Sequence, residues 1–377
     1  MRPLNVLWAT DRIGYGSHLH GPGRRLLTIA PEIDPAVARL VVCVLRGEDP
    51  ALSRLFAQRG IPLRHLGRRR LDPTTLPRLV RLVREERIDL LHLTGWGASD
   101  FGRLVSAWTG VPAIVHVTDH YHPWYQDVAD RLLGWRTDAV IAVSRSVAET
   151  SPMFRHARLR RRVRVLQNPV DLREFAPVPE AEAAALRQAL GVPPGRLVVG
   201  YLGRLHPEKG VHHLPDALPA VVRAVPEAVL VVIGDGPQQR ALEAQVQRLG
   251  LGPHVLFHGF RSDVAAALSA FDVAVVPSLT EGFPNVVLEA MAVGRPIVAS
   301  RVEGIAEILR HDETGWLVPP GDAPGLADAL VRALKEPAER ARLATGAREA
   351  AKRFDLRAYV RALEATWGEI ARGSAPR

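Results

Sequence analysis

The stretch "SLTEGFPNVVLEAMAVGRPIVAS", Ser278 to Ser300, holds two carboxylates, Glu281 and Glu289, eight residues apart. Gly282 and Pro284 stand between them, and an apolar run follows that stops at Gly294. Gly282 supplies backbone freedom. Pro284 suits the first turn of a helix, where its missing N–H would have no partner anyway. The stretch therefore reads as a strand end, a tight turn, a helix and a second strand, "PIVAS". Alternation of this kind builds a parallel sheet.

The same grammar extends in both directions. The first half carries the runs "LNVLWA", "RLVVCVL", "IPLRHL", "DLLHL", "AIVHV", "AVIAV" and "VRVL"; the second carries "LVVGYL", "VLVVIG", "VLFHG", "DVAVVP" and "PIVAS". They are continuous rather than alternating, as expected of strands buried on both faces. The fold class is α/β, with two doubly wound, Rossmann-like domains. The Pro-rich spacer "APVP" (Ala176–Pro179) marks the break, which we place between 172 and 173, so that the domains are 1–172 and 173–355. A last segment, 356–377, contains an amphipathic helix and the tail "RGSAPR".

The 377 residues suit two cores better than one. With 47% apolar and 24% charged residues, the composition is that of a globular, soluble chain. No apolar run approaches the ~20 residues of a membrane span. Met1 to Leu7 runs into an apolar strand without a signal-peptide pattern. Cys43 is the one cysteine, so no intrachain disulfide forms, which fits a reducing cytoplasm. The net charge of +9 favours anionic partners. It concentrates in "RHARLRRRVR" (Arg155–Arg164) and "GRRR" (Gly67–Arg70), either as a contact for an anionic surface or as solvated arginine.

Open parallel sheets bind ligands beyond the carboxyl ends of their strands, so the loops there matter most. After "LVVGYL" comes "GRLHPEKGV", which puts Gly203, Arg204 and Lys209 in a strand-to-helix loop. Amides at a helix start plus two cations suit a phosphate or diphosphate; the alternative is ordinary surface charge. After "VLFHG" comes Phe260, beside a flat base or in the core. In the opening stretch, the amides near Phe283 and Asn285 form a helix start. Glu289, in an otherwise apolar helix, needs a polar partner, such as a sugar diol or an arginine.

Taken in order, "GRLHPEKG", "VIGDGP", "HGF", "EGFPNVVLE" and "ASRVEGIAEIL" resemble family 4 retaining glycosyltransferases of the GT-B fold. "ETGWLVPPGD" continues the register, and "VLQNPVDLREF" is similar to the family's interdomain junction. The Glu281–Glu289 spacing is the family signature. The resemblance implies a nucleotide diphosphate sugar as donor, with no other cofactor and no metal; no Asp-x-Asp pair occurs. It implies that the donor lies in an interdomain cleft and that the last helix returns to the first domain. Glu289 would hold the ribose, and Glu281 with Gly282, Phe283, Pro284 and Asn285 the sugar. Arg204, Lys209 and Gly203 would face the diphosphate, and Phe260 the base. Gly21 and Gly23 of "HGPGRR" resemble a Gly-rich loop near the phosphates.

The family's strand-end histidine is displaced here. Alignment on Pro112 in "AIVHVTDHYHPWY" puts Thr118 at its place, with His116 and His120 two residues to either side. His120 lies beyond the strand and is the candidate. The implied activity is retaining transfer of a hexose-type sugar to a hydroxyl of a glycan, lipid-linked or small-molecule acceptor. It would take place in the cytoplasm, at the inner face of an anionic membrane if the basic run docks there. Two other readings stand beside it. A basic nucleic-acid-binding protein would fit the charge, but no helix-turn-helix, zinc or stacking motif accompanies it. A nucleotide-sugar epimerase would share the fold, but the paired glutamates argue against it.

Overall fold

The computed structural model describes residues 2–15, 18–19, 21–47, 49–67, 72 and 74–373. The arginines of the 67–70 patch, His20 of the Gly-rich segment and the end of the tail lie outside them.

The chain forms two compact units, Met1–Asn168 with Leu356–Arg377, and Pro169–Asp355. The first contains β1 (Leu4–Thr10), the short strands β2 (Gly14–Tyr15) and β3 (His18–Leu19), β4 (Ala38–Val44), β5 (Leu63–His65), β6 (Leu90–Thr94), β7 (Ala113–Val117), β8 (Ala139–Ala142) and β9 (Val163–Val165). Seven of these make one sheet in the order β5-β4-β1-β6-β7-β8-β9, while β2 and β3 pair with each other. The second unit contains β10 (Leu197–Leu202), β11 (Ala228–Ile233), β12 (Val255–Phe257), β13 (Val273–Val276), β14 (Ile297–Ser300) and β15 (Trp316–Val318), in the order β12-β11-β10-β13-β14-β15. Every neighbour pair in both large sheets is parallel. Each unit thus has the doubly wound order, and its connections reverse direction beside the unit's first strand.

The continuous apolar runs are buried, as parallel strands covered on both faces must be. In the second unit Val199, Leu230, Val273 and Val298 pack under Leu214, Leu218 and Leu330 of the flanking helices. In the first, the helix Leu356–Ala371 closes the core: Tyr359, Leu363 and Trp367 pack among Val6, Trp8 and Leu90. The last helix therefore belongs to the first core, although it follows the whole second unit in sequence. No described helix is long and apolar enough to cross a membrane.

Three local readings change. The Gly-rich stretch from Gly21 to Arg25 is not a loop: a helix, Gly21–Ile29, begins there. Pro284 precedes the helix Asn285–Ala292 in extended conformation, so the helix starts one residue later than the proline suggests. β15 was read only as part of a motif, in "ETGWLVPPGD", and forms a strand of three residues.

Candidate functional site

In the second sheet the reversal falls between β10 and β13. The loops leaving those two strands carry "GRLHPEKG" and "SLTEGF", and they meet. Lys209 Nζ donates to both carboxylate oxygens of Glu281, at 2.8 and 2.9 Å. Ser278 Oγ donates to Glu281 Oε1 at 2.7 Å. The Leu279 amide donates to the Glu208 carbonyl at 2.9 Å, tying the loops together through their backbones.

Gly210 makes the approach feasible. Its φ is +60°, and a Cβ there would lie 2.0 Å from the Pro277 carbonyl oxygen. A side chain would strain the backbone and push the Lys209 loop off the β13 loop. Under the loop, the buried Tyr201 hydroxyl donates to the Arg204 carbonyl at 2.8 Å. Burial pushes that phenol's pKa up, so it remains a donor.

The other candidates sit as follows. Arg204 points outward, 54% exposed, with its guanidinium on Glu208 four residues ahead. Such a surface pair is weak, which leaves the cation available to a phosphate. Gly203 directly follows β10. Phe260 lies on the loop after β12, 43% exposed, so it is not a core aromatic. Phe283 is buried and packs edge-on against Phe354 at 5.7 Å. Gly282 and Pro284 are buried beside it, and Asn285 opens the helix. Glu289 is buried in the middle of that helix, among Val287, Leu288 and Met291. The structure brings Lys209, Glu281 and the Asn285 helix start into one region. Ser278 escaped the sequence reading; its signal is a hydroxyl at the strand end, three residues before the turn carboxylate.

The equivalent place in the first unit is filled differently. There Asp11, just after β1, accepts from the amides of Gly97 at 3.0 Å and Ala98 at 2.7 Å, at the start of the helix Trp96–Thr109. The positive end of that helix already holds a protein carboxylate.

In the first unit, Gly23 allows a close crossing: a Cβ would lie 1.9 Å from the Ile13 carbonyl oxygen. His116 is buried in β7 and bonded to His92, which removes it as a ligand contact. Thr118 lies beside Asp119 beyond the strand. His120 follows, its Nδ1 2.8 Å from Thr150 Oγ1 and its Nε2 3.4 Å from Ser146 Oγ.

Comparison with known proteins gives a consistent picture. Residues 196–336 match the family model "Glycosyl transferases group 1", and residues 20–174 match "Glycosyltransferase Family 4". The chain is 33% identical over 290 residues to a D-inositol 3-phosphate glycosyltransferase of Xylanimonas cellulosilytica, covering 71% of this chain and 68% of that one. It is 30% identical over 342 residues to the 2-deoxystreptamine glucosyltransferase of Streptomyces kanamyceticus, covering 84% and 86%. Among solved structures, Anabaena HepE in complex with UDP-glucose superposes with a TM-score of 0.85 at 27% identity, over 97% of this chain and 100% of that one.

Proposed function

This chain belongs to the family 4 glycosyltransferases, and on that premise we propose that it transfers a hexose from a uridine diphosphate sugar to an acceptor hydroxyl, with retention of configuration. It is a GT-B enzyme that uses a nucleotide sugar. Neither the nucleic-acid-binding nor the epimerase reading has support. The observation that carries the proposal is the Lys209–Glu281–Ser278 constellation beside the reversal of the second sheet. The relatives add support for the base: HepE binds UDP and UDP-glucose.

On this reading Lys209 and Arg204 neutralise the diphosphate as it leaves, and Gly203 lets the loop backbone approach it. Glu281, oriented by Lys209 and Ser278, accepts from sugar hydroxyls, with Asn285 at the helix start beside it. Glu289 accepts from the ribose diol, and the exposed Phe260 borders the base. Gly23 and His120 act from the first unit, His120 on the sugar. The bond from the anomeric carbon to the phosphate oxygen breaks, the acceptor oxygen bonds to the same face, and its proton passes to the departing phosphate. Charge stabilisation at the leaving group is the main catalytic device. Glu281 is committed to holding the sugar, so it does not serve as a base.

Cationic side chains take the place of a diphosphate-bound metal, consistent with the absence of an Asp-x-Asp pair. The acceptor is a glycan, a lipid-linked sugar or a small polyol. The basic run favours one on an anionic membrane, in a reducing compartment where Cys43 stays a thiol.

The test uses UDP-glucose, a panel of acceptors and excess chelator. We expect UDP release that depends on acceptor and ignores the chelator. Proton NMR of the fresh product should show the donor's anomeric configuration. An inverted linkage overturns the mechanism, and activity restored only by manganese overturns the role given to the cations.

A separate expectation concerns the helix glutamate. Glu289→Gln still reaches the ribose but loses charge-assisted bonds worth about 1.5–3 kcal/mol. UDP affinity should therefore fall roughly 10- to 100-fold by calorimetry. Unchanged UDP affinity would remove Glu289 from the ribose.

A further inference from the structure

The helix Trp124–Leu133 is turned inside out. Its buried positions are Gln126 and Asp130, at 0% and 2% exposure. Its outer face carries Trp124, Val128 and Leu132, spaced four residues apart and exposed by 82%, 51% and 65%. A helix on a water-facing surface puts those faces the other way round.

The inversion has a cause. Arg103 is fully buried in the neighbouring helix, and its Nη1 donates to Asp130 Oδ1 at 2.6 Å. His122 Nε2 lies 2.8 Å from Asp130 Oδ2, and Gln126 Nε2 donates to Asp100 Oδ2 at 2.7 Å. Removing one partner of a buried ion pair is strongly destabilising, so the polar face is pinned inward and the apolar face must look out. Trp108 of the neighbouring helix, and Tyr121 and Trp135 of the segments flanking this one, are each more than half exposed as well.

Basic residues border this face. His156 Nε2 lies 3.1 Å from Asp127 Oδ1, which anchors the run 155–164 beside the helix. Leu159 of that run packs at the helix end, over Gly134. Arg136 stacks on the Trp135 ring at 5.0 Å. Exposed tryptophan and tyrosine among arginines is the composition of a surface that sits at a bilayer interface. There the rings occupy the headgroup level and the cations meet anionic lipid.

We propose that the Trp124–Val128–Leu132 face inserts into the interfacial zone of an anionic bilayer, with the exposed Arg155, Arg158, Arg160 and Arg161 on its headgroups. The proposal rests on the membrane reading above for its lipid, and on the inverted helix for its surface. Apolar contact and charge attraction then act together, so binding weakens in salt without vanishing, because only the second is screened.

The experiment is flotation of the full chain with vesicles of phosphatidylcholine containing phosphatidylglycerol, against phosphatidylcholine alone. Wild-type protein should float with the anionic vesicles, keep part of that binding at high salt, and show tryptophan quenching by brominated lipid. Trp124→Ser/Val128→Ser/Leu132→Ser changes only exposed side chains. It should lower the partition coefficient on the order of 100-fold and leave UDP affinity unchanged. Wild-type protein that turns over UDP-glucose but ignores vesicles overturns the docking face and spares the enzymatic reading. A triple variant that floats like wild type also overturns the face. So does sedimentation showing a wild-type dimer that the variant abolishes, which would assign the face to a second copy of the chain.

Discussion

Lys209→Ala lowers donor turnover by roughly 10²–10³-fold, the cost of removing one preorganised donor from a developing oxyanion. Lys209 holds both oxygens of Glu281 in the ligand-free protein. On the proposed reading, donor binding brings the same ammonium to a diphosphate whose charge grows as the glycosidic bond breaks. Its attraction is therefore stronger in the transition state than in the ground state, so kcat falls as well as affinity. Lys209→Arg recovers little, because a fork-shaped guanidinium does not replace a compact point charge between a carboxylate and a phosphate. Glu281→Gln should give the contrast: turnover falls while affinity for free UDP is nearly kept, since its proposed partner is the sugar. The measurement is UDP release set beside UDP calorimetry for each variant. Equal loss of UDP affinity in Lys209→Ala and Glu281→Gln would show that the pair acts only as a loop clamp.

Acidification from pH 7 to 5 should cost the protein about 2 kcal/mol of stability or more, through a buried chain of rings in the first unit. Trp367 Nε1 donates to His92 Nδ1 at 3.0 Å, and His92 Nε2 lies 3.0 Å from His116 Nδ1. Indole only donates, so His92 carries its proton on Nε2 and His116 accepts at Nδ1. Neither imidazole has room for a second proton. Burial holds His92 down at about 3, and Arg25 beside the pair adds repulsion. His116 lies well below its ordinary value for the same reasons, with His92 contributing. Both histidines take up protons on unfolding, where the ordinary value is about 6.5. The unfolded state thus binds more protons below that pH. Stability is complete above ~6.5 and falls below it by about 1.4 kcal/mol per pH unit for each ring, down to about 3 for His92.

Asp100 opposes this. Burial raises it to about 6, so its folded form takes up a proton first and gains stability on acidification. The net uptake near pH 5.5 is therefore about one proton rather than two. Urea midpoints at several pH values read the slope directly. Asp100→Asn should steepen the decline between pH 6.5 and 5, because only the histidines then titrate. A flat profile in both proteins would mean that the imidazoles protonate in place.

The strand runs of both large sheets were legible because strands buried on two faces must be continuously apolar. The exception is Trp316–Val318, three apolar residues between Gly315 and Pro319. The 21–25 segment misled for a local reason: its glycines read as a loop, whereas Gly23 serves a close crossing over Ile13 within a helix. The carboxylate turn, the cation loop and the buried helix glutamate were legible because each is a local departure from its surroundings. Their partners were not. Lys209 meets Glu281 across 72 residues, and which of several lysines and arginines takes that place depends on loop geometry at the strand ends.

The sequence by itself determined the two α/β units, the strand-end loops that carry the candidate site, and the family resemblance, all of which rest on short-range pattern. The resemblance already implied that the last helix returns to the first domain; only the tertiary structure decided that its Trp367 reaches His92, 275 residues away in sequence. It alone decided which face of Trp124–Leu133 looks outward. Helical periodicity shows that "WYQDVADRLL" has two faces, and hydrophobicity assigns the tryptophan inward. The buried Arg103, 27 residues from Asp130 in sequence, reverses that assignment, because an uncompensated buried charge costs more than an exposed tryptophan.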